Sequence, residues 1–479
     1  MLDSQAAVLW LVLFAVIFAV AGLLFARRHQ EGLEDFIVAR NSQTSQATVL
    51  TLLATTMGTW VLFGPAESAT WGGIGAILGY ALGVLVPSFL MIPLGTRIRQ
   101  LMPTGHTLTE FVYARYGRSV YVVVLFIMLF YLFISLTAGL TGIAQMVALL
   151  APVPLWVTAS IVMLSTLLYT LYGGLKVTIF TDRIQMLVIL PFILLILFLG
   201  WQATGGIAPV ISGLQEKAPH LLNPFDSTGM ETGVTFFLAV CLTGLFYQGT
   251  WQRIFAARDN KVIRNGFIYS GLISFPIILA LGVFGLAFVG LSVSGTGSTA
   301  LFSVMLGSAP YWLLVGMIFF GLALIMSSAD STISGFHSMF IVDLNRLFSG
   351  LKGDKLAVVS RWLIVAISIL ALIVASKGFS ILYLFLLADL LCCAAAFPVF
   401  FGFYNARYQS YHALLSLISG LVAGFIYFPL PGEPIAFLYE SFLLATLVPV
   451  GVSLVLMLLP SKKAFDFSLV TKKIKQLSN

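Results

Sequence analysis

Residues 51–73 read TLLATTMGTWVLFGPAESATWGG. The stretch is apolar enough for a membrane helix, yet Gly58, Gly64, Pro65 and the Gly72-Gly73 pair interrupt it. Its TTMGT run places hydroxyls and a flexible glycine near mid-span. Two readings are open. In one, the glycines form a packing face that lets neighbouring helices approach closely. In the other, the helix is discontinuous, with unwound carbonyls that coordinate a cation and half-helix ends that face a solute. Non-helical backbone at that depth is tolerated only where it is buried in protein or lines a cavity.

The rest of the chain fits a membrane setting. Of 479 residues, 59% are apolar and 9% are charged, against roughly 25% charged in an average soluble domain. Such a composition excludes intrinsic disorder and argues against a soluble enzyme. The 43 glycines and 40 phenylalanines suit helices packed in lipid. Cys241, Cys392 and Cys393 all fall in apolar runs, which makes neither a disulfide framework nor a zinc site. No metal site other than one for sodium is expected.

Stretches of about 20 apolar residues mark membrane spans. Thirteen are expected: 8–26, 47–66, 74–95, 119–149, 154–172, 184–202, 233–252, 266–291, 310–342, 358–376, 379–403, 411–428 and 437–459. The first has Asp3 ahead of it and Arg27-Arg28 behind it, the reverse of a secretory signal. With the N-terminus outside and the C-terminus in the cytoplasm, all but Lys217 and Lys377 of the 25 Lys and Arg residues fall on the cytoplasmic side. Arg253, Lys352, Lys462, Lys463 and Lys475 are counted there as topology signals. The net charge of +7 is therefore read as orientation in the bilayer, not as a nucleic-acid surface. The loop 203–232 suits an ordered cap or a short amphipathic helix, and the basic tail after Pro460 suits an anchor at the inner leaflet.

Charges inside spans are costly and mark function by default. Asp182, Asp330 and Asp389 are the informative ones. Asp343 and Glu440 lie near span ends and read as interfacial. The ninth span contains ALIMSSADSTISGFHSMFIVD. Ser327, Ser328, Asp330, Ser331, Thr332, Ser334 and Ser338 bring too many oxygens for interhelical hydrogen bonding alone, and Ser327, Asp330, Ser331, Ser334 and Ser338 share one helix face. A face of this kind suits a hard monovalent cation, and a proton relay through Asp330 is the other option.

Several segments together resemble the solute:sodium symporter family: LEDFIVARN (33–41), HTLTEFVYARYG (106–117), LYGGLKVTIFTDRIQ (171–185), YQGTWQRIFAARD (247–259) and the SSADS run. They occur in the family's order and at its spans. The resemblance implies an all-α, leucine-transporter-like protein of about thirteen transmembrane helices with two inverted five-helix repeats. Residues 1–46 would hold an extra helix and a cytoplasmic loop, 47–202 the first repeat and 203–232 an external loop. The second repeat would cover 233–403, and 404–479 would hold two further helices and the tail. It also implies sodium-coupled import of a small solute by alternating access, with the bilayer as the only obligate surroundings, in the cell membrane and without enzymatic activity. The family's main sodium site maps onto carbonyls of Ala54, Met57 and Leu324 and hydroxyls of Ser327 and Ser328. A second ion site maps onto Asp182 with Asp330 and Ser331, although Asp182 could instead pair with Arg183. Proton coupling, solute sensing and channel activity are the competing readings.

For the cargo, Ala81 and Tyr247 stand where sugar-binding members carry Glu and Asn, which argues against a sugar. Thr56 stands where the proline-transporting branch has an acid. The candidate solute-binding residues are Thr59, Trp60 and Phe63 beside the first break, Tyr247 beside the second, and Asp389. If Asp389 faces the cavity, it favours an amine, urea-like or other donor-rich solute.

Overall fold

The structure is a computed structural model that describes residues 2–28, 32–306, 309–347, 354–430, 436–459 and 464–474. Lys352, Lys462, Lys463 and Lys475, expected on the cytoplasmic side, lie outside the described residues. Among the described residues the chain is helical, with no strand and one isolated bridge between Gln43 and Ala257.

Helix α1 (Ser4–Arg28) is followed by a short α2 (Leu33–Val38), then α3 (Ser45–Thr56) and α4 (Gly64–Leu101). Next come α5 (Leu108–Tyr116), α6 (Arg118–Leu150), α7 (Leu155–Ala203) and α8 (Ile207–Lys217). The middle of the chain holds α9 (Ser227–Thr243), α10 (Gln248–Ala256), α11 (Asn260–Gly290), α12 (Ala300–Met305) and α13 (Tyr311–Leu347). It closes with α14 (Asp354–Ala375), α15 (Ile381–Phe400), α16 (Ser410–Tyr427), α17 (Leu438–Met457) and α18 (Ser468–Lys473).

Ten of these helices are long and apolar enough to cross a membrane, or eleven if α9 and α10 form one span bent by 50°. The expected thirteen are not reached by that count, and the difference sits in two places. The second expected span is cut into the twelve-residue α3 and the start of α4. The fifth and sixth run together as the 49-residue α7, about 74 Å of helix against a hydrocarbon core of about 30 Å. Gly174 turns the chain inside α7 with φ 59°, a conformation that costs glycine little.

Close helix contacts rest on small residues. A Cβ at Gly79 would come within 1.9 Å of the Gly233 carbonyl oxygen, and one at Gly75 within 2.4 Å of the Gly229 carbonyl, so α4 and α9 meet backbone to backbone. The expected helix in 203–232 is α8, with Val210 and Leu214 buried. The described part of the tail docks on protein rather than standing free: Thr471 donates to the Leu101 carbonyl, and Thr104 donates to the Ile474 carbonyl.

Outside the spans, a charged network ties α2, the loop before α5 and the end of α13. His106 is fully buried, with Nε2 2.7 Å from Glu34 Oε2 and Nδ1 3.2 Å from Glu110 Oε2. Burial disfavours the imidazolium, but Glu110 and then Glu34 outweigh it and lift the pKa to about 9. Burial likewise opposes the Glu34 carboxylate, yet His106 and Arg40 bring its pKa down to about 2. Arg346 reaches both Glu110 and Asp343. Asp343, near the end of α13, is buried and accepts from Tyr121 and Thr109.

Candidate functional site

The first helix break forms where the sequence interrupts the apolar run. Helix α3 ends at Thr56, and Met57 (φ −89°, ψ 90°) and Gly58 (φ −96°, ψ −175°) leave the helical region. One 3-10 turn follows over Thr59–Leu62, and α4 begins with Pro65 in its first turn, where a missing N–H costs nothing. A Cβ at Gly58 would lie 3.1 Å from Trp60 and 3.2 Å from Ser328 Oγ, so the turn sits tightly against α13.

Opposite the break stands the serine pair. Ser327 Oγ donates within reach of the Ala54 carbonyl (3.3 Å) and the Leu324 carbonyl (3.0 Å), and Ser328 Oγ lies 3.1 Å from the Leu324 carbonyl. Four of the five expected sodium ligands thus converge from α3 and α13. The fifth, Met57, lies in the break itself. Each hydroxyl has one proton and two lone pairs, so both serines can accept a cation while donating elsewhere. The group contains no charged side chain, which fits a monovalent hard ion.

About one turn along α13 the chemistry changes. Arg253, expected in a cytoplasmic loop, is buried at 1% exposure. Its guanidinium donates to Asp182 (2.9 Å), Ser331 (2.7 Å), Thr51 (3.0 Å) and the Gly249 carbonyl (3.2 Å). Thr51 also donates to Asp182. The partner of Asp182 is therefore Arg253 and not Arg183. Asp330 faces another way and accepts from Tyr169 and Thr181, both at 2.9 Å. Asp182 and Ser331 are brought together, but with a guanidinium between them.

The serine face of α13 is largely used by α10. Gln248 donates to Ser338, Gln252 to Ser334, and Tyr247 pairs with Thr332 at 2.8 Å. This corrects the expectation that these oxygens exceed what interhelical bonding needs. Arg253, Thr51 and Tyr169 were missed as site residues. The one available signal was the Arg253 position inside the Gln-x-x-x-Gln-Arg run.

A cavity of about 140 Å³ adjoins the break. Thr59, Trp60, Tyr247 and Asp389 line it, as do Gly58 and Ser328. The Thr59 hydroxyl donates to the Gly139 carbonyl (3.0 Å), and the Trp60 indole donates to the Thr56 carbonyl (3.0 Å). Phe63 does not line the cavity. It is buried against Phe302, ring centroids 5.3 Å apart. Tyr80 and Tyr131 line the cavity and were not singled out from the sequence.

Comparisons place the chain among known proteins. Residues 36–420 match the sodium:solute symporter family. The chain is 24% identical over 372 residues to the spermidine transporter DUR31 of Candida albicans, covering 77% of this chain and 69% of that protein. It is 24% identical to the sodium/pantothenate symporter of Escherichia coli strain K12, covering 59% of each. Among solved structures, a Na+-coupled sialic acid symporter in a substrate-bound outward-open state superposes with a TM-score of 0.76 at 17% identity, over 96% of this chain and 99% of that one.

Proposed function

Since the chain belongs to the sodium:solute symporter family, we propose that it imports a small polar, donor-bearing solute together with sodium by alternating access. It is a multi-span membrane protein of a transporter family and not an enzyme. The observation that carries the reading is a shared wall. Ser328 belongs to the converging oxygens of the break, Gly58 packs against it, and both line the cavity. An ion held there by Ala54, Met57, Leu324, Ser327 and Ser328 would pin α3 to α13 and shape the cavity beside them. Coupling requires only that the ion favour one state over the other.

One sodium per cycle is the stoichiometry this reading favours, because Arg253 already brings a positive charge to Asp182 and Ser331. The protein resides in the cell membrane with its N-terminus outside and its C-terminus in the cytoplasm. Reporter fusions after residue 30 should report cytoplasm, and fusions near residue 215 should report the outside. Proteoliposome counterflow in sodium, with potassium as replacement, tests the coupling. Uptake that needs sodium on the cargo side supports it, and uptake indifferent to the replacement overturns it. One observation favours proton coupling as a second reading: Asp330 has a buried carboxylate oxygen without a hydrogen-bond partner. Sodium-independent uptake driven by a pH gradient would select it.

A further inference from the structure

The cavity that adjoins the helix break contains an acid with no counter-charge. Asp389 on α15 lines it and is 6% exposed. Among the described residues Asp389 makes no ion pair, and no Lys, Arg or His lines the cavity. Thr243, Tyr80 and Tyr131 line the same cavity. A carboxylate taken out of water is costly unless it is paired; the protein brings no partner, so Asp389 is held ionised only when a cation enters the cavity beside it.

The remaining wall is aromatic. Trp60 stacks on Tyr80 with ring centroids 5.7 Å apart, and Tyr131 meets Tyr247 edge to face at 5.9 Å. All four rings line the cavity, as does Phe385. Ring faces carry negative charge density and attract ammonium groups within about 6 Å, most strongly where water is excluded. A neutral donor such as urea would satisfy the Asp389 oxygens but leave its charge unbalanced. A carboxylate-bearing solute would meet like charge with no base to hold it. An acid surrounded by rings is matched by a cation with an apolar surface.

From this juxtaposition we propose that the cargo is a compact organic ammonium ion, its charged head held between Asp389 and the rings of Trp60, Tyr80, Tyr131 and Tyr247. The cavity is about 140 Å³, close to the volume at which an enclosed apolar cavity takes up benzene, which fits a compact cargo. The inference rests on the transporter reading above and narrows its cargo. It also changes the electrical outcome. A neutral solute moving with one sodium carries one charge per turnover, whereas an ammonium ion moving with one sodium carries two.

The test uses the full chain, purified and in proteoliposomes, with tetramethylammonium, ethanolammonium, choline, urea and the neutral carbon isostere of choline, 3,3-dimethylbutan-1-ol. In sodium, at least one ammonium probe should raise the melting temperature and be taken up with two charges per molecule. The neutral isostere and urea should bind at least tenfold more weakly. Asp389→Asn should lower ammonium affinity at least tenfold, abolish the preference over the isostere, and leave the sodium midpoint of the empty carrier unchanged. Asp389→Glu should retain the preference, and Tyr131→Leu should weaken it. Equal binding of choline and its isostere, no response to any ammonium probe, or a preference that survives Asp389→Asn overturns the proposal. Sodium-driven uptake of urea alone would leave the transporter reading standing and sink the ammonium one. Ammonium uptake with no sodium dependence would do the reverse.

Discussion

Two polar clusters lie about one turn apart on α13 and use many of the same residue types. The first joins Ser327 and Ser328 to the carbonyls of Ala54 and Leu324, beside the break at Met57, with no charged group. The second joins Ser331 to Asp182 and Thr51 through Arg253, which is wholly enclosed. In one, lone pairs converge and the positive charge has to come from outside. In the other, the chain supplies its own cation. On the proposed sodium reading, the difference would let one helix exchange an ion and stay attached to α7 and α10. Neutral oxygens bind a monovalent ion loosely enough to release it, whereas a guanidinium fixed by four acceptors cannot leave.

The largest expected effect breaks the second cluster. Arg253→Met leaves Asp182 buried without compensation and should cost about 3–5 kcal/mol, read as loss of thermal stability in detergent. Adding Asp182→Leu should recover most of it, since a matched apolar pair avoids the unpaired charge. If the single variant is as stable as wild type, Arg253 is not the structural cation described here.

A third cluster, outside the membrane, extends the comparison to charges that can titrate. His106 carries a pKa of about 9 when folded and about 6.5 when unfolded. Its stabilisation is therefore complete below about pH 6.5 and fades as pH rises toward 9. Glu34 works in the other direction: its contribution holds above about pH 4.5 and is lost as pH falls toward 2. His106→Gln should remove about 1.5–3 kcal/mol near pH 6 and flatten the alkaline limb of a melting-temperature profile. An unchanged alkaline limb would remove His106 from the charged network.

Next in size is the first cluster. Ser327→Ala and Ser328→Ala should each raise the sodium concentration for half-maximal uptake about tenfold, or about 1.4 kcal/mol, with saturating sodium restoring transport. Stability without sodium should barely move, in contrast to Arg253→Met. Both variants behaving like Arg253→Met would erase the distinction between the clusters. The smallest effect is expected at the seam between them. Tyr247→Phe removes the hydroxyl pairing with Thr332 and should cost about 0.5–1.5 kcal/mol, with sodium dependence unchanged.

Much of this was legible in the residues. The apolar runs gave the spans because a bilayer of fixed thickness demands them. Gly58 and Pro65 marked the break because neither suits a helix interior. Other features could not be read this way. Arg253 was counted among the loop bases because a charge in a sequence carries no depth, and its partner Asp182 lies 71 positions away. The same blindness made Ser331, Ser334 and Ser338 look like surplus oxygens, since the donors that use them sit on α10. Phe63 lay close enough to the break to be taken for a cavity residue, yet its ring packs on Phe302.

By itself the sequence determined that the chain crosses a membrane many times and where its helix breaks, because hydropathy and backbone propensity are local, and the family resemblance pointed to the serines that stand opposite. Only the tertiary structure decided which of those oxygens already have a cation of the chain's own beside them, and that Asp389 faces a cavity ringed by aromatics with no base beside it. Electrostatic balance in a low-dielectric interior belongs to the neighbours in space, and those neighbours are set by packing rather than by order along the chain.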